Sequence, residues 1–221
     1  MNHTRLLINT ARVGYDNVVG LAIMSVIVSL TIAPLGLALS FQRPLVIVSG
    51  LWAACLLWGI ALLATFRFTG SVVERGVRVS VCSNLKTTLE KPETGLKLGV
   101  VTFGILVGAL IGTAQAPSGL RSIVLGVVLF ALISWYVIVG FAAPELGDGA
   151  PLVTALRAGM FRFASSPLSV AVFLVVSVLI TVVTGMTLIL VVFLLPGTLA
   201  LWAVSVARYV EDDGSDPNTE S

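Results

Sequence analysis

The chain has 221 residues, of which 57% are hydrophobic and 11% charged, and its formal net charge is +2. A soluble domain of this size could not cover so much apolar surface, and the apolar residues come in blocks long enough to cross a hydrocarbon core of ~30 Å, which takes about 20 residues of helix. That composition excludes an ordinary soluble protein, and no basic patch interleaved with aromatics points to nucleic acid.

Residues 1–17 form a short polar arm with Arg5, Arg12 and Asp16. The single histidine, His3, lies there without an acid or thiol beside it, which gives no metal or catalytic signature. The first apolar block, residues 18–40, is longer than the 7–15 residue core of a secretion signal and reads as a membrane helix. Pro34 in its second half predicts a kink, because proline removes a backbone donor and crowds the preceding turn. A second span is predicted over 44–66, opening on Pro44, a residue suited to the first helical position. Only three residues link the two spans, which permits only an antiparallel hairpin.

The long polar stretch 67–97 follows, with six of the thirteen Lys and Arg residues. Val73, Val77, Val81, Leu85 and Leu89 recur every four residues, as on one face of a helix, while Val77, Val79 and Val81 alternate as in a strand. The helix is the favoured reading, lying at the membrane surface and ending before Pro92, since a lone strand would leave its backbone groups unpaired. Arg75, Arg78 and Lys86 are its candidate docking or topology residues.

A third span is predicted over 98–116 with Gly104, Gly108 and Gly112 at four-residue intervals, a stripe that lets another backbone approach. Its first reading is internal packing of the bundle, and its second is a dimer interface or a substrate path. The fourth span, 122–143, carries Trp135 and Tyr136 near its middle, which predicts burial with polar partners for both rings. Residues 144–167 read as a short amphipathic helix with Leu152, Leu156, Phe161 and Phe163 on the dry face and Arg157 and Arg162 on the wet one.

Residues 168–207 are uncharged over 40 positions, too long for one crossing, so the chain must fold back. Thr184-Gly185 is the best turn, which gives spans five and six as 168–183 and 186–207. Pro196-Gly197 predicts a kink or local unwinding in the sixth. Residues 211–221, with five acids and no base, read as a disordered acidic tail.

The expected architecture is an all-α polytopic membrane bundle. It has six transmembrane helices in three hairpin-like pairs, with short cytoplasmic amphipathic helices. Eleven of the thirteen basic residues fall on one side of such a bundle and only Arg43 and Arg121 on the other, which places both termini in the cytoplasm of a cell-membrane protein. No Asp, Glu, Lys, Arg or His lies inside the six predicted spans, so proton or ion coupling is disfavoured. Hydroxyl side chains there lack a base to activate them, and no phosphate-loop, zinc-protease or nucleophile-elbow motif is present. The reading is therefore non-enzymatic, with no cofactor and no metal. The two cysteines, Cys55 and Cys82, read as reduced thiols.

The segments SLTIAPLGLAL (29–39), WYVIVGFAAPEL (135–146), PLVTALRAGMFRFASSPLSV (151–170) and LLPGTLALWAVSVARYV (194–210) together resemble the YesL-like integral membrane proteins, a family without an assigned function. That resemblance implies an accessory component associated with carbohydrate uptake, with other membrane transport subunits and the lipid bilayer as partners. It implies no catalytic or binding residue. The alternative is a transport subunit that itself passes a small neutral solute, although Thr154 to Gly159 carries only the Ala and Gly of an ATPase-coupling loop. Homo-oligomerisation through the glycine stripe is a third, structural reading.

Overall fold

The computed structural model describes residues 10, 12, 14–75, 80–185 and 195–214. Among these, ten helices carry the fold and no strand occurs. The first apolar block is broken into α1 (Val18–Leu30) and α2 (Ala33–Ser40). Pro34 cannot donate to the Leu30 carbonyl, and the backbone answers with shorter-range bonds, Thr31 N–H to Val28 O and Ile32 N–H to Ser29 O, each 3.2 Å. The break thus falls at Thr31-Ile32, one turn ahead of the proline that causes it.

After Gln42, whose φ of 53° turns the chain, α3 (Pro44–Arg75) begins. A Cβ on Gly50 would lie 2.9 Å from Pro34 O, so the α2/α3 hairpin closes backbone to backbone. Helix α3 does not stop at Phe66, where the apolar block ends. It runs 32 residues, about 48 Å at 1.5 Å per residue, and takes Arg67 and Glu74 with it.

Residues 76–79 lie outside the described set, which includes Val77, Val79 and Arg78 of the ambiguous valine pattern. Ser80 beyond them has extended backbone, φ −75° and ψ 118°, so the polar stretch is not one helix. Its later part is α4 (Val81–Glu90), capped by the Ser80 hydroxyl, which accepts the Ser83 N–H at 3.4 Å, and it ends before Pro92. Helix α5 (Glu93–Gln115) starts five residues earlier than the hydrophobic block suggests. Those five residues matter, because they contain Gly95.

Helix α6 (Arg121–Phe141) is followed, after the single residue Ala142, by the short α7 (Ala143–Gly147), then α8 (Leu152–Ser165) and α9 (Pro167–Gly185). Helices α8 and α9 meet at 102°, a sharp corner fixed by Pro167 directly after Ser166. The last helix is α10 (Leu195–Gly214). Four helical segments, 18–40, 44–74, 93–115 and 121–141, are long and apolar enough to cross a membrane, and the bent α8/α9 pair makes a fifth if taken as one span. The described part of α10 is apolar but shorter, and much of the predicted sixth span, 186–194, lies outside the described residues.

Two buried clusters hold the bundle. Leu21, Met24, Ala64, Phe68, Val72 and Leu201 join α1, α3 and α10. A larger group around Leu63, Val137, Phe141, Leu146, Phe173, Trp202 and Val204 joins α3 and α6 to α10. By contrast, Leu45, Phe130, Val153, Phe161 and Val175 are exposed on the periphery, the side-chain chemistry of a surface solvated by lipid.

The closest helix contact is between α3 and α5. A Cβ on Gly59 would overlap Gly95 O and lie 2.7 Å from Gly99 N, and a Cβ on Gly99 would lie 2.9 Å from Leu56 Cα and overlap Cys55 O. Further along, Trp52 and Phe103 continue the contact, stacked edge to face with centroids 4.7 Å apart. Gly104, Gly108 and Gly112 lie on another face of the helix, Gly108 being about 180° round from Gly99 at 3.6 residues per turn. A Cβ on any of the three would meet no atom within 4 Å, so the internal packing expected of them is made instead by Gly59, Gly95 and Gly99.

Candidate functional site

The ends of α3 and α10, the start of α5, and α4, α7 and α8 gather at one end of the bundle. With them come most of the described charges, while Arg43 and Arg121 sit at the opposite end. Three arginines at the charged end are withdrawn from the surface, and each is placed by a different local device.

Arg162 is placed by a glycine one turn earlier on α8. A Cβ on Gly159 would lie 2.5 Å from Ile138 O and 3.0 Å from Ala142 N, so α8 can touch the end of α6 only because that side chain is missing. Arg162 then reaches the C-terminal end of α6. Its Nη1 donates to Phe141 O at 2.8 Å and to Glu145 Oε2 at 2.8 Å, and its Nη2 lies 2.6 Å from Glu145 Oε1. This is a two-point guanidinium–carboxylate pair, and Arg162 is only 8% exposed. The expected wet face of α8 is thus reversed in part. Leu152, Ala155, Gly159 and Arg162 face the protein, whereas Phe161 is 72% exposed. Small residues face inward because the neighbouring backbone is close, and large apolar ones face outward where lipid solvates them. Arg157 is exposed, as a wet face requires.

Arg208 on α10 reaches across to α3, where its Nη2 is 2.6 Å from Glu74 Oε1, and to the turn after α7, where Asp148 Oδ1 is 3.7 Å away. Gly149 ends that turn with φ of 85°, and Ala150 N–H closes it on Glu145 O at 2.9 Å. The Asp148 carboxyl is held above the usual carboxylate range by partial desolvation; Arg208 opposes the rise, and Glu74 and Glu145 add to it.

Arg67 is different. It is half-buried, and its Nη1 donates to the Thr88 hydroxyl on α4 at 3.2 Å. Among the described residues no carboxylate lies within ion-pair distance of it. It looks into a groove of about 1000 Å³ between α4, the start of α5 and the start of α8. A second, almost wholly apolar groove of about 290 Å³ lies on the other side of α4, between α1 and α3, and includes Thr31 and Thr88.

The residues singled out from sequence are scattered. Gly104, Gly108 and Gly112 lie along α5 facing away from the chain. Pro34 opens α2, and Pro196 and Gly197 lie in the first turn of α10. There the Gly197 N–H donates to the buried Ser25 hydroxyl of α1 at 2.7 Å, and a Cβ on Gly197 would lie 2.8 Å from that oxygen. Arg75 ends α3 and its side chain is outside the described set, as are Arg78 and His3 altogether; Lys86 is exposed on α4. Tyr136 donates to the Ser177 hydroxyl at 3.4 Å, but the Trp135 indole N–H is buried without a partner. Cys55 is buried and Cys82 exposed, both free. Among the described residues no His, Cys, Asp and Glu group is placed to hold a metal ion.

Sequence reasoning missed the Arg162–Glu145 pair and the Gly59, Gly95 and Gly99 contact. The spacing Gly95-x-x-x-Gly99 was a usable signal, hidden by the charged residues around it. The fold and its apolar periphery define a helical, multi-pass membrane protein. Comparison with family models, curated proteins and solved structures gives no match.

Proposed function

We propose that the chain is a non-enzymatic accessory component of carbohydrate uptake in the cell membrane, with six spans in three hairpin-like pairs and both termini cytoplasmic. The observation that carries the non-enzymatic part is the use made of withdrawn charge. Glu145 and Arg162 satisfy each other, and Arg208 joins Glu74, so these groups hold helices together and are not poised for proton transfer. The sixth span is supported by the packing of α9 on α10, and the orientation by the gathering of basic residues at one end. The connection to carbohydrate uptake rests on the YesL-like resemblance.

Two experiments test the reading. Cys82 is exposed on α4 and Cys55 is buried, so the chain carries its own reporter of sidedness. A membrane-impermeant maleimide should leave Cys82 unlabelled in intact cells and label it after permeabilisation; labelling in intact cells would overturn the orientation. For function, purification in mild detergent should retain a transport subunit, and deletion should lower uptake of at least one labelled sugar. A chain that emerges alone, from a strain with unchanged uptake across a broad sugar panel, would refute the accessory role.

The second reading, a subunit that itself passes a small neutral solute, is favoured by the interrupted first span and the 102° corner between α8 and α9, since broken helices free backbone groups inside a bundle. Direct uptake by the purified protein in liposomes would establish it.

A further inference from the structure

Arg67 combines three properties that no other described residue shares. It is a withdrawn guanidinium, it lacks a carboxylate partner, and it opens onto a groove that is charged at one end and apolar at the other. Arg162 and Arg208 have their counter-ions within the protein. Arg67 has one neutral hydroxyl, and that hydroxyl already donates to Asn84 O at 2.9 Å, so it meets Arg67 as an acceptor only. Four of the five guanidinium N–H donors are left for something else.

The depth of the residue says where that partner must come from. Counting from Pro44, Arg67 is 23 residues along α3, about 34 Å at 1.5 Å per residue, just past a hydrocarbon core of ~30 Å and so level with lipid headgroups. Three cations and two carboxylates line the groove, and Lys97 is tied to Glu93 at 3.7 Å, so Arg67 and Lys91 outweigh Glu90. On its membrane side the groove is walled by Val100, Val101 and Val153, which are 43%, 37% and 79% exposed.

We propose that this groove binds an anionic phospholipid, the phosphate seated against the Arg67 guanidinium and an acyl chain laid along Val100, Val101 and Val153. The shared chemistry is phosphate recognition by a guanidinium. A free phosphate would leave the valine wall uncovered, and a zwitterionic lipid brings no net charge to balance Arg67. The inference needs only the membrane placement of the bundle and stands apart from the accessory role.

The test uses the full-length protein in a neutral detergent, with bound lipid counted by native mass spectrometry and thermal stability measured alongside. Phosphatidylglycerol is expected to bind about fivefold more tightly than phosphatidylcholine, the effect of one basic residue at a membrane surface. Arg67→Gln should abolish that preference, and Arg43→Gln, at the far end, should leave it intact. Should Arg67→Gln fail to fold, Val153→Trp decides, since it alters an exposed position and should block phosphatidylglycerol by filling the groove. Equal binding of the two lipids by the parent protein would overturn the proposal. So would a phosphatidylglycerol preference that survives both groove substitutions, or stabilisation by inorganic phosphate equal to that by the lipid.

Discussion

Gly99→Leu is expected to prevent the bundle from assembling, whereas Gly108→Leu, the same change 9 residues further along the same helix, should melt with the parent protein. At Gly99 even a Cβ overlaps Cys55 O and lies 2.9 Å from Leu56 Cα, and both obstacles are backbone, which cannot swing aside as a side chain can. Overpacking a tight site costs about 1–3 kcal/mol when neighbours can shift, and here the rigid partner and the longer leucine push the cost to the upper end or beyond. At Gly108 nothing lies within 4 Å. Melting followed by size-exclusion chromatography in detergent distinguishes the two. Equal loss in both variants would mean that the Gly104, Gly108 and Gly112 stripe is covered after all, by a second chain.

Glu145→Ala should also be strongly damaging, lowering stability by about 3–5 kcal/mol, because it takes the carboxylate partner from a buried guanidinium. Removing both partners, as in Glu145→Ala with Arg162→Met, should recover much of the loss. The desolvation cost of the charge disappears with the charge, and methionine keeps the volume. Urea or SDS unfolding of the two singles and the double completes the cycle. A double variant no more stable than Glu145→Ala would refute the idea that the loss comes from a buried guanidinium deprived of its carboxylate.

The membrane helices were legible because length and unbroken hydrophobicity are properties of single segments. Pro34 likewise announced the interruption of the first span, and Pro92 the stop after α4. What could not be read was anything depending on which face meets which neighbour. Arg162 reads as a wet residue from its charge, but its environment is set by Glu145 seventeen positions earlier and by a glycine that brings two helices together. Gly104, Gly108 and Gly112 form the more regular pattern, yet Gly95 and Gly99 make the contact, since these two face α3 and Gly108 lies about 180° round the helix from Gly99. Spacing shows that a close approach is possible; only the partner helix decides where it happens.

The bond from the Gly197 N–H to the Ser25 hydroxyl joins residues 172 positions apart, the first apolar helix to the last. For a chain inserted into a membrane as it is made, that distance is a delay. At ordinary elongation rates of about 5–20 residues per second, Ser25 enters the bilayer on the order of 10–30 s before its partner exists. During that interval the buried faces of α1 and α3 that will receive α10, from Leu21 to Phe68, have only lipid or an insertion factor to cover them. The bond that joins the first apolar helix to the last thus forms only after the rest of the bundle has been made.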